Sequence, residues 1–272
     1  MTALVGKKIG FLGAGNMASA LIGGLTRSRL VEPASILASD VDPERRLQAT
    51  RRFGVRTTSD NREVVKFADI LVLAVKPGVA PKVLEEVGGA VRADQVVISI
   101  CAGISAAFVE SHLATKPPVL RVMPNTPALV GAGVSAVACG THATAEHCAL
   151  AKTIFAAVGE VVEVAEKHMD AVTALSGSGP AYFFYLMEAL DAAGLAEGLP
   201  PGVTEKLVKQ TALGAAKLSL DSNEDPRKLR QNVTSPGGTT EAALRVLENN
   251  NVGNLLVQAV REAAKRSREL GK

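Results

Sequence analysis

Tryptophan is absent from this 272-residue chain, and two tyrosines and seven phenylalanines leave aromatics at 3% of residues. With 47% of residues apolar, the core must be built from Ala, Val, Leu and Ile, which suits helices laid on a parallel sheet whose buried strands read as aliphatic runs. Neither charge sign is scarce: 30 Lys plus Arg face 27 Asp plus Glu, a formal net charge of +3. No basic run with interleaved aromatics occurs, which argues against a nucleic-acid partner. Long hydrophobic runs are missing too. The first apolar stretch, IGFLGAGNMASALIGGL, is broken by Asn16 and five glycines, falls short of the ~20 apolar residues of a membrane span, and lacks a signal-type cleavage context. A soluble cytoplasmic protein with no membrane partner is expected. Cys101, Cys139 and Cys148 are odd in number and form no Cys-x-x-Cys pair, which argues against a disulfide framework and leaves reduced thiols as the expectation. Histidines approach metal-ligand spacing only at THATAEHC, where His142 and His147 lie near Cys148. That spacing misses one helical face, so a solvated helix start is read there and no metal.

What is present begins with strand, tight turn and helix. KKIGFLGAGNMASALIGGL runs from an aliphatic strand, Ile9 to Leu12, through Gly13-Ala14-Gly15 into helical periodicity at Met17, Leu21 and Leu25. In a dinucleotide fold Gly13 allows the turn, Gly15 lets the backbone approach a pyrophosphate, and a small residue, here Ala18, lets helix and strand pack closely. The open amides of the helix start then meet the phosphates. A second strand, SILASD, ends at Asp40, where such folds place the group that meets the adenosine ribose. An acid there favours NAD, whereas Arg45 and Arg46 can clamp a 2′-phosphate and favour NADP; Asp40 or Asp42 can equally be a helix cap. Further strands, ADILVLAV, QVVISI, PVLRVM and EVVEVA, alternate with helical segments, which predicts a doubly wound, mostly parallel sheet. Ligands in such sheets lie beyond the carboxyl ends of the strands, so the turns AVKPG (Lys76-Pro77) and PNTP (Pro124 to Pro127) point toward a nicotinamide.

The alternation stops near residue 165, and the chain then reads as helix after helix, several apolar around most of their circumference. Such helices must be buried, and about a hundred residues make too small a bundle to bury them alone, so a partner subunit is expected to cover them. The fold class is therefore α/β: a Rossmann-type domain over residues 1–165, then an all-helical dimerisation and substrate domain over 166–272. Two glycine-rich turns stand in the second part. EKHMDAVTA reads as helix, so LSGSGPAYFF does not follow a strand as a phosphate loop would. Pro180 instead suits a first helical turn with Ser178 or Gly179 as cap. In SPGGTTEAAL, Ser235 and Pro236 can open a helix with Thr239, Thr240 and Glu241 close behind. Both turns offer backbone amides to a small anion.

At these residues the chain resembles the pyrroline-5-carboxylate reductases over essentially its whole length. FLGAGNMA, LAVKP, MPNTPALVGAG, DAVTALSGSGPAYFF and NVTSPGGTTEAAL occur in that family's order and spacing, the last two with the greatest specificity. The resemblance implies reduction of the C=N bond of 1-pyrroline-5-carboxylate to L-proline, the last step of proline biosynthesis, with NADPH or NADH. It implies a pyrophosphate loop at Gly13, Ala14, Gly15, Asn16 and Met17, a ribose site at Ser39 and Asp40, and a cofactor contact at Asn61. Ala74, Val75, Lys76 and Pro77, and Ile100, Cys101 and Ala102, match segments lining the nicotinamide. Leu12 and Asn125 join these cofactor candidates, and Asn232 matches a cofactor contact from the helical part. Glu166, Thr239 and Thr240 match positions that meet the five-membered ring and its carboxylate, with Thr240 the catalytic candidate, and Ser178, Gly179, Pro180, Ser235, Gly237 and Gly238 complete the substrate turns. The family pattern departs at Asp40, where members that prefer NADPH often carry Ser, Asn or Arg. The resemblance also implies intertwined homodimers assembled into a larger ring, a decamer. Two rivals are a reductase of 2-oxo acids, which needs a general acid for the alkoxide, and a non-catalytic dinucleotide-binding regulator.

Overall fold

The computed structural model describes residues 4–271. They divide into two compact units: one that ends at Ser178 and takes back Glu262 onward, and one of Gly179–Arg261.

In the first unit the described residues form one eight-stranded sheet. Its strands are β1 (Ile9–Leu12), β2 (Ile36–Ser39), β3 (Arg56–Thr58), β4 (Ile70–Leu73), β5 (Val96–Ser99), β6 (Val119–Met123), β7 (Gly133–Cys139) and β8 (Gly159–Glu163). Their spatial order is β3-β2-β1-β4-β5-β6-β7-β8. Every pairing is parallel except β6 with β7. Between the strands run α1 (Asn16–Arg27), α2 (Pro43–Phe53), α3 (Asn61–Phe67), α4 (Ala80–Val87), α5 (Ala106–Ser111) and α6 (Ala145–Ala156). The two sheet faces build two aliphatic cores. Ile9 and Phe11 pack with Leu21, Ile22 and Leu25 of α1 on one side, and Leu12 and Leu71 pack with Val83, Leu84 and Val87 of α4 on the other. The helices after β1 and β4 thus leave on opposite faces, which makes the gap between these neighbouring strands the switch point of the sheet.

After β8 a short 3₁₀ turn, Glu166–His168, leads into α7 (Met169–Val172) and a π-helical turn, Thr173–Gly177, where a single helix reads from the sequence. The helices that follow are α8 (Gly179–Ala196), α9 (Pro201–Asp221), α10 (Pro226–Asn232), α11 (Thr239–Asn249) and α12 (Val252–Leu270). Among the described residues of the second unit only Gly179 and Thr204 are buried. Phe183, Tyr185, Leu213, Leu220 and Val246 are each more than 60% exposed. This unit leaves much of its apolar surface exposed. No described helix is long and apolar enough to cross a membrane.

The cysteines correct one expectation. Cys139, closing β7, is paired as a disulfide with Cys148 in the first turns of α6, their Cα atoms 6.4 Å apart, a distance a disulfide spans. The pair is closed by a strand-to-helix turn, which linear spacing does not reveal. His147 is occupied otherwise: its Nδ1 accepts the Thr144 amide in a capping box.

Candidate active site

A cavity of about 440 Å³ opens at the carboxyl ends of β1 and β4. Its wall at the first turn is Gly13, Gly15, Asn16 and Met17. Gly13 has φ +103, and a Cβ there would lie 2.6 Å from the carbonyl oxygen of Ala74, so both conformation and close approach demand glycine. The Gly13 amide donates to the carbonyl of Ser39 at 2.9 Å and the Ala74 amide to that of Leu12 at 2.8 Å, which stitches the turn between β2 and β4. Gly15 is the N-cap of α1 and brings no side chain. The helix's opening amides are therefore left for a ligand. A Cβ on Gly15 would meet nothing nearer than Arg45 Nη1 at 3.9 Å, so this is open space of the kind a pyrophosphate needs.

Ser39, Asp40, Arg45 and Asn61 continue the lining, with Ala74, Val75 and Lys76 from the end of β4. Ser39 donates to Asn61 Oδ1 at 2.6 Å, and Asn61 Nδ2 donates to Glu86, so the amide of Asn61 is oriented from both sides. Asp40 accepts the Ala14 amide on Oδ2 and the Asp42 amide on Oδ1, each at 3.0 Å. The carboxylate that sequence reading assigns to a ribose thus also holds the glycine turn at Ala14. The capping role falls to Asp42, which accepts from Glu44 at the start of α2. Arg45 is half exposed and stands 3.7 Å from Asp40 and 3.6 Å from Asp42. Arg46 instead donates to the carbonyls of Asp40 and Val41.

Other sequence candidates lie nearby without lining this cavity. Ile100, Cys101 and Ala102 follow β5, and Cys101 Sγ donates to the carbonyl of Val75 at 3.3 Å. Burial pushes its thiol up to about 11, so it is a neutral, inert group at physiological pH. Pro77 begins a 3₁₀ turn whose N-cap, Lys76, is part of the cavity lining. Asn125 is spent on architecture: its Oδ1 accepts the Val134 amide at 3.0 Å, and its Nδ2 reaches Ser176 Oγ at 3.4 Å.

That last contact belongs to a pattern. Arg121, Met123 and Asn125 are alternate residues and project from one side of the extended chain. Arg121 donates to Glu166 at 3.0 Å and lies 3.5 Å from Asp170. The Met123 methyl fills the space a side chain on Gly177 would need, and Asn125 takes Ser176. The segment leading into SGSGP is laid along this strand. Glu166 Oε1 also accepts the Ala106 amide at 3.2 Å, while its Oε2 is buried without a partner. Ser178 ends the unit.

Within the second unit, Gly179 and Pro180 open α8. The SPGGTT turn differs from its sequence reading. Ser235 and Pro236 do not start the helix: Gly237 at φ +70 interrupts the chain, Gly238 is the N-cap, and Thr239 and Thr240 are the first helical residues. The Gly237 amide is held by Glu241 at 2.8 Å. Asn232, the last residue of α10, donates to Glu224 at 2.7 Å.

Among the described residues one cluster of possible metal ligands comes together, Cys139, Cys148 and Glu163, within 4.8 Å of one another. The sulfurs are bonded to each other, and Glu163 is paired with Lys152 at 2.5 Å; the set does not fit a metal.

Residues 166–270 match the family model for pyrroline-5-carboxylate reductase dimerisation, and residues 8–103 match that for NADP oxidoreductase, coenzyme F420-dependent. The chain is 44% identical to the pyrroline-5-carboxylate reductase of Pseudomonas aeruginosa, over 97% of this chain and 96% of that one. The chain belongs to the pyrroline-5-carboxylate reductase family. Human pyrroline-5-carboxylate reductase 2 is 43% identical, over 96% of this chain and 83% of its own. Among solved structures, the pyrroline-5-carboxylate reductase of Coxiella burnetii superposes with a TM-score of 0.89 at 38% identity, covering 98% of this chain and 99% of that one. The Plasmodium falciparum enzyme, solved with NADP bound, also has a TM-score of 0.89, at 31% identity and the same coverage. The unit that leaves much of its apolar surface exposed lies within the matched dimerisation region, which fits an oligomer. Sequence reasoning passes over Arg121, although a lone arginine inside the aliphatic strand PVLRVM is a usable sign, because a buried guanidinium requires partners.

Proposed function

We propose that this chain reduces the C=N bond of 1-pyrroline-5-carboxylate to L-proline with NADPH, and that NADH is the alternative donor. The carrying observation is a cavity of about 440 Å³ at the β1–β4 switch point, lined by the Gly13–Gly15 turn, in a chain whose helical region matches the family's dimerisation model. The NADP-bound Plasmodium falciparum relative supports NADPH, and half-exposed Arg45 beside the cavity offers a guanidinium to a 2′-phosphate. The nicotinamide cofactor, when bound, supplies the hydride. Gly13, Ala14, Gly15, Asn16 and Met17 hold its pyrophosphate, Ser39, Asp40 and Asn61 its adenosine end, and Ala74 to Pro77 with Ile100 to Ala102 surround the reacting end. Leu12, Asn125 and Asn232 support that set.

A protonated imine already carries its proton, so the chain's task is orientation, not proton transfer. Thr240 hydrogen-bonds the ring nitrogen. The Thr239 amide with Ser235 receives the carboxylate at the start of α11, in a turn shaped by Gly237 and Gly238, whose own amides are taken by Glu241 and the Ser235 carbonyl, and Glu166 with Ser178, Gly179 and Pro180 walls the ring. Two copies related by a twofold axis bury the apolar helices against each other, the SPGGTT turn of one copy completes the cavity of the other, and dimers assemble into a decamer in the cytoplasm. Purified protein should oxidise NADPH when pyrroline-5-carboxylate is supplied; comparable turnover of pyruvate or glyoxylate rejects the substrate class. Mixing Gly15→Asp with Thr240→Ala chains should restore part of the activity, and no recovery in proven hybrids rejects the shared site.

A further inference from the structure

We propose that Arg121 is a positioning residue for imine reduction: its buried guanidinium fixes Glu166, and with it the 166–177 segment, in the place the substrate requires. The inference rests on the reading of Glu166 as a substrate contact.

Arg121 is 4% exposed, on β6 between β5 and β7. A charge so buried is stable only when paired and hydrogen-bonded. Its fork does this with two carboxylates one helical turn apart: Nη1 to Glu166 Oε1 at 3.0 Å and Nη2 to Asp170 Oδ1 at 3.5 Å. A planar guanidinium holding both sets the spacing and the orientation of the segment, which the point charge of a lysine does not. The far ends are tied as well. Ser267 Oγ of α12 donates to Asp170 Oδ1 at 2.7 Å, and the Ala106 amide donates to Glu166 Oε1 at 3.2 Å.

Two features point past a purely structural cluster. Glu166 Oε1 is held twice while Oε2 is buried with no partner, an arrangement that costs free energy until a donor arrives. One guanidinium also faces two carboxylates, leaving a net negative charge that complements an incoming protonated imine. The strand continues the same task at Met123 and Asn125, which seat Gly177 and Ser176. Arg121 therefore acts through Glu166 and touches no substrate itself.

The test measures KM for imine and for NADPH, kcat, and hydrogen exchange over residues 166–177 in wild type, Arg121→Lys, Glu166→Ala and the double variant. Arg121→Lys should raise the imine KM by about ten- to a hundredfold, leave the NADPH KM within twofold, and speed exchange in 166–177. On the Glu166→Ala background the lysine should add less than twofold. An unchanged imine KM, a loss of thermal stability alone, or full multiplication of the two effects overturns the proposal. If Arg121→Lys does not fold, Ser267→Ala loosens Asp170 while sparing the fork; a severalfold rise in imine KM supports the clamp and an unchanged one rejects it. Wild-type protein that fails to reduce the imine at all rejects the underlying assignment instead, and the positioning role of Arg121 falls with it.

Discussion

Replacing Gly13 and Gly15 separately with alanine divides the work of the first turn into folding and ligand approach. At Gly13 alanine must adopt φ +103 and bring its Cβ within 2.6 Å of the Ala74 carbonyl oxygen. The left-handed backbone costs roughly 1–2 kcal/mol. Overlap with main chain, which cannot swing aside as a side chain would, adds roughly 1–3 kcal/mol. Gly13→Ala should therefore destabilise the protein by about 2–5 kcal/mol, a large share of a typical domain's stability. At Gly15 the backbone is φ −72, ψ −172, open to any residue, and the nearest obstacle is Arg45 Nη1 at 3.9 Å. Gly15→Ala should cost under about 1 kcal/mol as a poorer N-cap. Its methyl enters the space for the pyrophosphate, so NADPH affinity should fall by roughly ten- to a hundredfold. Urea unfolding followed by circular dichroism suits a chain without tryptophan, and NADPH fluorescence reads binding. The reasoning fails if Gly15→Ala unfolds as early as Gly13→Ala, or if it binds NADPH within twofold of wild type.

Three further outcomes are expected. Burial holds the Cys101 thiol up at about 11; its folded-state value is raised, so its contribution to stability is intact below about pH 9, where the unfolded thiol titrates, and is lost as pH rises toward 11, by roughly 2–3 kcal/mol in all. Cys101→Ala should flatten that part of the stability profile, and an identical profile for the variant contradicts the assignment. Asp40→Ser removes one of the two carboxylates beside Arg45 and should shift the ratio of NADPH to NADH efficiencies upward; an unchanged ratio makes Asp40 a brace for the Ala14 amide and nothing more. Thr240→Ala and Thr240→Val should both lower kcat by about ten- to a thousandfold with NADPH binding little altered, and full activity in either excludes the hydroxyl from the site.

Legibility in the sequence followed the length and chemistry of each element. The β1 turn and α1 were readable because an aliphatic strand, two glycines and helical periodicity coincide within a few residues. By contrast β3 is three residues, Arg56–Thr58, none of them buried, and offers no apolar run. β7, GVSAVAC, is made of small residues and turns antiparallel through the proline-rich bend after β6, so no alternation announced its direction. The start of α11 was displaced because Pro236 fits a first helical turn, yet Gly237 at φ +70 breaks the chain behind it. Partners separated by long stretches of chain, such as Arg121 with Glu166 and Asp170, are set by tertiary packing, and spacing along the sequence carries no trace of them.

The most direct test of the central claim follows the transferred atom. NADPH carrying deuterium at its transferable position is incubated with pyrroline-5-carboxylate and the protein, and the product is analysed by mass spectrometry and nuclear magnetic resonance. Proline should form in step with NADPH consumption, with a single deuterium on the ring carbon beside nitrogen and away from the carboxylate. NADPH oxidation without labelled proline, or no oxidation in the presence of the imine, contradicts the assigned reaction.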